Sequence, residues 1–118
     1  MKNVFGEPLK LCCNEPKTGY FRDGYCRTDD SDYGNHTVCA IMTKKFLGFS
    51  KSKGNDLTSP NEQYAFPGLK PGDKWCLCSL RWKEAFDAGC APLVELESTN
   101  EKALKYVSLD SLITNAKK

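Results

Sequence analysis

The chain of 118 residues predicts an α+β fold: a small two-layer sandwich, with a mixed sheet carrying its helices mainly on one face, after a loop-rich first third. Three features lead there. Strand-like apolar runs recur at residues 36–42, 75–80 and 91–97. Capped helical patterns follow them at 44–53, 82–88, 101–106 and 109–116, whereas residues 12–35 are rich in Gly, Asp, Tyr, Asn and Pro and show little periodicity. The order strand, helix, strand, helix, strand, helix, helix favours a mixed sheet. Irregular connections and only three core strands favour the sandwich over a doubly wound fold. At this length, with 40% hydrophobic residues, one domain spanning residues 1–118 with one core is expected.

In chain order, residues 1–11 alternate apolar and polar side chains around Gly6 and Pro8 and read as extended. Residues 12–35 carry turn signals at Glu15-Pro16, Thr18-Gly19, Asp23-Gly24 and Tyr33-Gly34. Their aromatics Tyr20, Phe21, Tyr25 and Tyr33 argue for an ordered loop packed on the core. Loops of this length inside a small domain tend to carry function. In HTVCAIM, residues 36–42, Val38, Ala40 and Met42 face one way and Cys39 and Ile41 the other. Thr43 is an N-cap, Phe46, Leu47 and Phe49 form the buried stripe of the helix it starts, and Gly54 closes that helix beside Lys51 and Lys53. The irregular residues 55–74 include a packed loop at 64–69. They lead into GDKWCLCSLRW, residues 72–82, the most distinctive stretch of the chain. As a strand it sets Trp75, Leu77 and Ser79 on one face and Cys76, Cys78 and Leu80 on the other, with Arg81 where strand gives way to helix. Gly89 then closes a helix, Thr99 caps a short helix, and Ser108 caps the last one, which ends on Lys117 and Lys118.

The net charge of +2 and scattered lysines declare no basic face, so nucleic acid is not an expected partner. No apolar run reaches the roughly 18 residues of a membrane span. A soluble, cytoplasmic protein is expected, and its seven cysteines, Cys12, Cys13, Cys26, Cys39, Cys76, Cys78 and Cys90, are accordingly read as free thiols. Each, taken alone, reads first as a small buried apolar residue.

Three chemistries compete for a site. A metal reading gathers His36, Cys39, Cys76 and Cys78 if the two central strands are neighbours, although Cys76 and Cys78 lack the spacing of a zinc knuckle and no cofactor or metal is assigned. A thiol-dependent enzyme or redox protein needs an activated Cys39, or a Cys76/Cys78 couple, with His36 as the catalytic partner. His36 and Cys39, three residues apart on an extended segment, point to opposite faces. The leading reading is a binding module for a small anionic or polar ligand or partner, in which residues 20–33 cover a pocket floored by Arg22, His36 and Arg81. Asp23, Asn55, Asp56 and Asp73 are further acid/base or binding candidates, and each also fits a local turn. No Gly-rich phosphate loop, Ser-His-Asp arrangement or paired-His zinc motif is present.

The segments TGYFRDGYC, HTVCAIMTKKFLGFSKSKGNDL, FPGLKPGDKWCLCSLRWKEA and EKALKYVSL resemble the bacterial family designated domain of unknown function 2237, over nearly the whole chain. The resemblance implies a short, stand-alone, soluble protein and brings no catalytic residues with it. This chain departs from the family pattern at Asn100, where histidine is common, and at Cys90, where the usual residue is apolar.

Overall fold

The computed structural model describes residues 1–15, 17–64 and 66–117. Pro16 of the expected Glu15-Pro16 turn, Ala65 of the expected loop at 64–69 and Lys118 of the basic tail lie outside the described residues.

The centre is a sheet of three strands, β1 (His36–Ile41), β2 (Lys74–Cys78) and β3 (Leu93–Val94), in the order β2-β1-β3. Both pairings are antiparallel. The α+β class stands as expected, but the sheet is antiparallel throughout these strands rather than mixed. The connection through α1 returns the chain as β2 antiparallel to β1, and the one through α2 carries it past β1 to β3, which runs in the direction of β2, so no βαβ crossover joins neighbouring strands.

Register assigns the two faces. Val38 pairs with Leu77, Ala40 with Trp75 and Cys39 with Cys76. Because side chains alternate along a strand, Val38, Ala40, Trp75 and Leu77 enter one apolar core while Cys39 and Cys76 enter a separate buried cluster. The first core is closed by α1 (Lys44–Ser52), α2 (Ser79–Asp87) and α3 (Leu109–Thr114), through Phe46 and Leu47, Trp82 and Ala85, and Leu112. The second cluster is completed by Cys12 and Cys26 from the loop-rich first third, so this loop covers what the helices leave open.

Local chemistry explains the helix ends. Thr43 is extended and its Oγ1 accepts from Phe46 N at 3.1 Å, while Gly54 takes φ of 88° just past α1. At α2 the expectation shifts: the helix begins at Ser79, directly on β2, so Leu80 is a half-exposed helical residue rather than a strand residue. Trp82, fully buried, donates its Nε1–H to Pro92 O at 3.2 Å and ties α2 to the entry of β3. The third strand is shorter than expected because a 3₁₀ turn begins at Leu96. A second 3₁₀ turn at Glu101–Lys105 replaces the expected short α-helix, and Asn100 rather than Thr99 caps it, accepting from Lys102 N. Ser108 caps α3 as expected. The first residues are fastened by buried Asn3, whose Nδ2 donates to Glu97 O while its Oδ1 accepts from Phe5 N and Glu7 N.

Candidate functional site

Cys39 and Cys76 face one another across β1 and β2. Neither amide N–H points at the partner strand: Cys39 N donates to Thr99 Oγ1 at 3.2 Å and Cys76 N to Thr18 Oγ1 at 2.8 Å. Outward-pointing amides mark a non-hydrogen-bonded pair, the closer of the two antiparallel arrangements. Each strand cysteine is bonded to a loop cysteine, Cys12–Cys39 and Cys26–Cys76, with Cα atoms 5.7 and 5.2 Å apart. The expectation of free thiols is therefore corrected for these four. It failed because the loop lies directly over the strand pair, a contact between residues 27 and 50 positions apart that no local pattern reveals. Cys13, Cys78 and Cys90 remain thiols, all partly exposed. Cys39 and Cys76 are thus not available as nucleophiles while bonded. The Cys76/Cys78 couple is not formed either, since Cys76 is joined to Cys26 and Cys78 sits at the N-cap of α2.

The loop between the two bridges carries the polar site. Gly19, Tyr20 and Arg22 on the loop, with His36, Trp75 and Cys76 from the sheet, line a cavity of about 350 Å³. Arg22 adopts φ of 56°, a conformation that costs a residue with a β-carbon, and is held there by bonds from its N and Nη1 to Gly19 O at 3.0 and 2.8 Å. Its guanidinium carbon lies 4.9 Å from the Trp75 ring centre. Arg22 has no carboxylate partner among the described residues: neighbouring Asp23 instead pairs with Arg27 at 2.7 Å. Burial pushes the Asp23 carboxyl up, but the Tyr25 N–H and Arg27 outweigh it and hold the group below its ordinary range. Asp23 thus pairs with Arg27 and leaves the neighbouring Arg22 guanidinium free of it.

His36 is fixed by a carboxylate that the sequence did not single out. The Asp32 side chain is 0% exposed, and its Oδ1 lies 2.6 Å from His36 Nδ1. Its Oδ2 accepts from Thr28 Oγ1 and His36 N, both at 2.9 Å. A carboxylate with this set of donors takes the Nδ1–H, which leaves Nε2 as the imidazole's acceptor. Nε2 has no hydrogen-bond partner among the described residues, and the ring lines the cavity. Tyr20 stacks beside it with ring centres 6.2 Å apart, and the Tyr20 hydroxyl is anchored on Ser31 O at 3.1 Å.

The remaining expected residues lie elsewhere. Arg81, in the first turn of α2, donates to Lys53 O at 3.3 Å and reaches Glu84 at 3.5 Å, and it does not line the cavity. The helix starts before Arg81, and that turns its side chain along the α1–α2 surface. Asn55, Asp56 and Asp73 make local turns: Asn55 N and O bond Ser50, Asp56 accepts from Thr58 and Ser59, and Asp73 accepts from Lys70 N. His36, Cys39, Cys76 and Cys78 do not converge as a metal set, because His36 is turned onto Asp32 and Cys78 is outside the buried sulfur cluster. Tyr33, expected to pack, is 93% exposed. Sequence reasoning missed Asp32, Trp75 as a cavity wall, and Cys12 and Cys26 as partners. The one visible signal for Asp32 was its place four residues before the only histidine.

Fold and site together define a small α+β protein with a doubly bridged loop that brings an arginine, without a carboxylate partner among the described residues, to the same cavity as an Asp-oriented histidine. A family model described as an uncharacterized protein conserved in bacteria, domain of unknown function 2237, matches residues 2–116, and the chain belongs to that family. No curated protein matches the chain.

Proposed function

We propose that the protein binds a small anionic ligand in the cavity between the bridged loop and the sheet. The observation that carries this reading is the Arg22 guanidinium, cationic and without a carboxylate partner among the described residues, on the same cavity as the imidazole of His36. Tyr20 and Trp75 supply aromatic walls, so a planar or partly apolar anion suits the space. The volume of about 350 Å³ lies at the small end of ligand pockets. A charge-assisted hydrogen bond contributes about 1.5–3 kcal/mol before the cost of association is subtracted; Arg22 offers such a donor, and the His36 Nε2 acceptor suits a hydroxyl group on the same ligand. These contacts alone support weak binding, roughly millimolar or weaker.

The test is calorimetric titration with inorganic phosphate, a phosphate monoester and small mono- and dicarboxylates, with amide and side-chain NMR shifts to locate the contact. Saturable binding that perturbs Tyr20 and His36 is expected for at least one probe. Arg22→Gln should weaken it by about tenfold or more, the equivalent of about 1.4 kcal/mol. Arg81→Gln should leave it unchanged. Absence of binding by every probe, or binding that Arg22→Gln leaves intact, overturns the reading.

A further inference from the structure

Four cysteines from four places in the sequence share one buried cluster, apart from the hydrocarbon core. The sulfurs of Cys12, Cys26 and Cys39 all lie within 4.8 Å of one another, and Cys76 is bonded to Cys26 and directly opposite Cys39. Two bridges that served only as cross-links would not need a common centre. From this convergence we infer a second function, independent of the anion reading: in its reduced state the protein binds one zinc-like divalent ion through Cys12, Cys26, Cys39 and Cys76.

The chemistry of the donor set selects the metal. Sulfur-only ligands suit zinc and disfavour magnesium or calcium, and a closed set of four thiolates is a structural tetrahedral site. With zinc–sulfur bonds of about 2.3 Å, tetrahedral geometry requires sulfurs about 3.8 Å apart. The spacings among Cys12, Cys26 and Cys39, already within 4.8 Å, reach that by side-chain rotation, and Cys76, bonded to Cys26 and opposite Cys39, completes the set by turning toward them once its bridge is reduced. The backbone is held without the metal: Thr18 and Thr99 take the amides of Cys76 and Cys39, Cys12 N donates to Gly24 O, and Cys26 O accepts from Asn100 Nδ2. The site is therefore preorganised on both strands and both loop ends. Cys76 also lines the cavity that contains Arg22, which puts a guanidinium on one side of the negative tetrathiolate.

The interconversion balances. A dithiol or phosphine reductant delivers four electrons, and with four protons the two S–S bonds become four thiols. The divalent ion then displaces those four protons as four metal–sulfur bonds form. In reverse, two molecules of hydrogen peroxide accept four electrons and four protons as the two disulfides re-form. The metal leaves as the free ion.

The experiment uses the full chain, reduced with a phosphine under anaerobic conditions, mixed with an equimolar amount of zinc, freed of unbound metal and analysed for zinc. About one equivalent should be retained, and cobalt in its place should show thiolate-to-cobalt charge transfer with tetrahedral ligand-field bands. Peroxide should release the metal while four thiols disappear. The triple variant Cys13→Ser, Cys78→Ser, Cys90→Ser should keep the stoichiometry, whereas Cys39→Ser or Cys76→Ser should weaken zinc binding by about tenfold or more. If the reduced, metal-free protein unfolds, zinc should restore its circular dichroism spectrum. Reduced protein that retains no zinc, that zinc fails to refold, or whose cobalt spectrum lacks the thiolate band overturns the inference.

Discussion

Gly34 shows how one residue sets the geometry of the site. A β-carbon built there would approach His36 Cε1 to 2.4 Å. The imidazole cannot yield freely, because Nδ1 is committed to a buried carboxylate. Gly34→Ala should therefore break the His36-Asp32 contact or displace the ring from the cavity, seen as a shift of the His36 ring resonances and weaker anion binding. Unchanged ring resonances would show that the neighbourhood absorbs a methyl group. Ser79 is the opposite case. Its hydroxyl is buried with no hydrogen-bond partner among the described residues. Its removal relieves the desolvation of an unmet polar group, so Ser79→Ala should be neutral or stabilising by up to about 1 kcal/mol in denaturant melts. A clear loss of stability would reveal an unseen partner for the hydroxyl. Neither effect is written in the sequence, where Gly34 reads as a turn residue and Ser79 as a strand residue.

The loop and the two central strands respond together. Residues 19–22, which form the loop side of the cavity, lie between the two loop cysteines, so both ends of this segment are tied to the sheet. Each bridge closes a segment of 27 or 50 residues. Bridges over segments of that length restrict the unfolded chain by about 3–5 kcal/mol each. Metal-free reduction should accordingly lower the urea midpoint sharply and abolish anion binding before global unfolding, measured by titration with phosphine under chelator. Equal anion affinity in oxidised and metal-free reduced protein would show that the loop holds its shape without the bridges. Elements whose signals are local were legible: Thr43, Phe46 and Gly54 delimit α1 closely, and Ser108 marks the start of α3. The start of α2 was misplaced because WCLCSL is equally apolar as strand or buried helix, and only the pairing of Cys78 with His36 at the end of β2 decides where the strand stops.

Across the whole molecule, acid should be destabilising. Ser59 and Thr58 hold the Asp56 carboxyl far below its ordinary value, and the Ser31 hydroxyl and N–H lower that of Asp29. At Glu95 burial pushes upward, but Lys117 and Lys74 prevail and lower it. A carboxyl whose folded value lies below its unfolded one stabilises the fold above the unfolded value, and that contribution is lost as pH falls through it toward the folded value. Thermal midpoints should thus hold from neutral pH down to about 5 and then fall progressively through the ordinary carboxylate range near 4. A midpoint that stays flat to pH 3 would show that these contacts persist in the unfolded chain. The same local-to-global division separates what was readable from what was not. The sequence by itself determined the α+β class, the alternating faces of the β1 and β2 segments and most helix caps, because those depend on residues within one or two turns of each other. Only the tertiary structure decided the antiparallel sheet, the partners of the four cysteines, the turning of Arg81 away from the cavity and the meeting of Arg22, Asp32 and His36. Those outcomes depend on where a largely aperiodic loop settles on the sheet, and that is set by packing and hydrogen bonds between residues far apart in the chain.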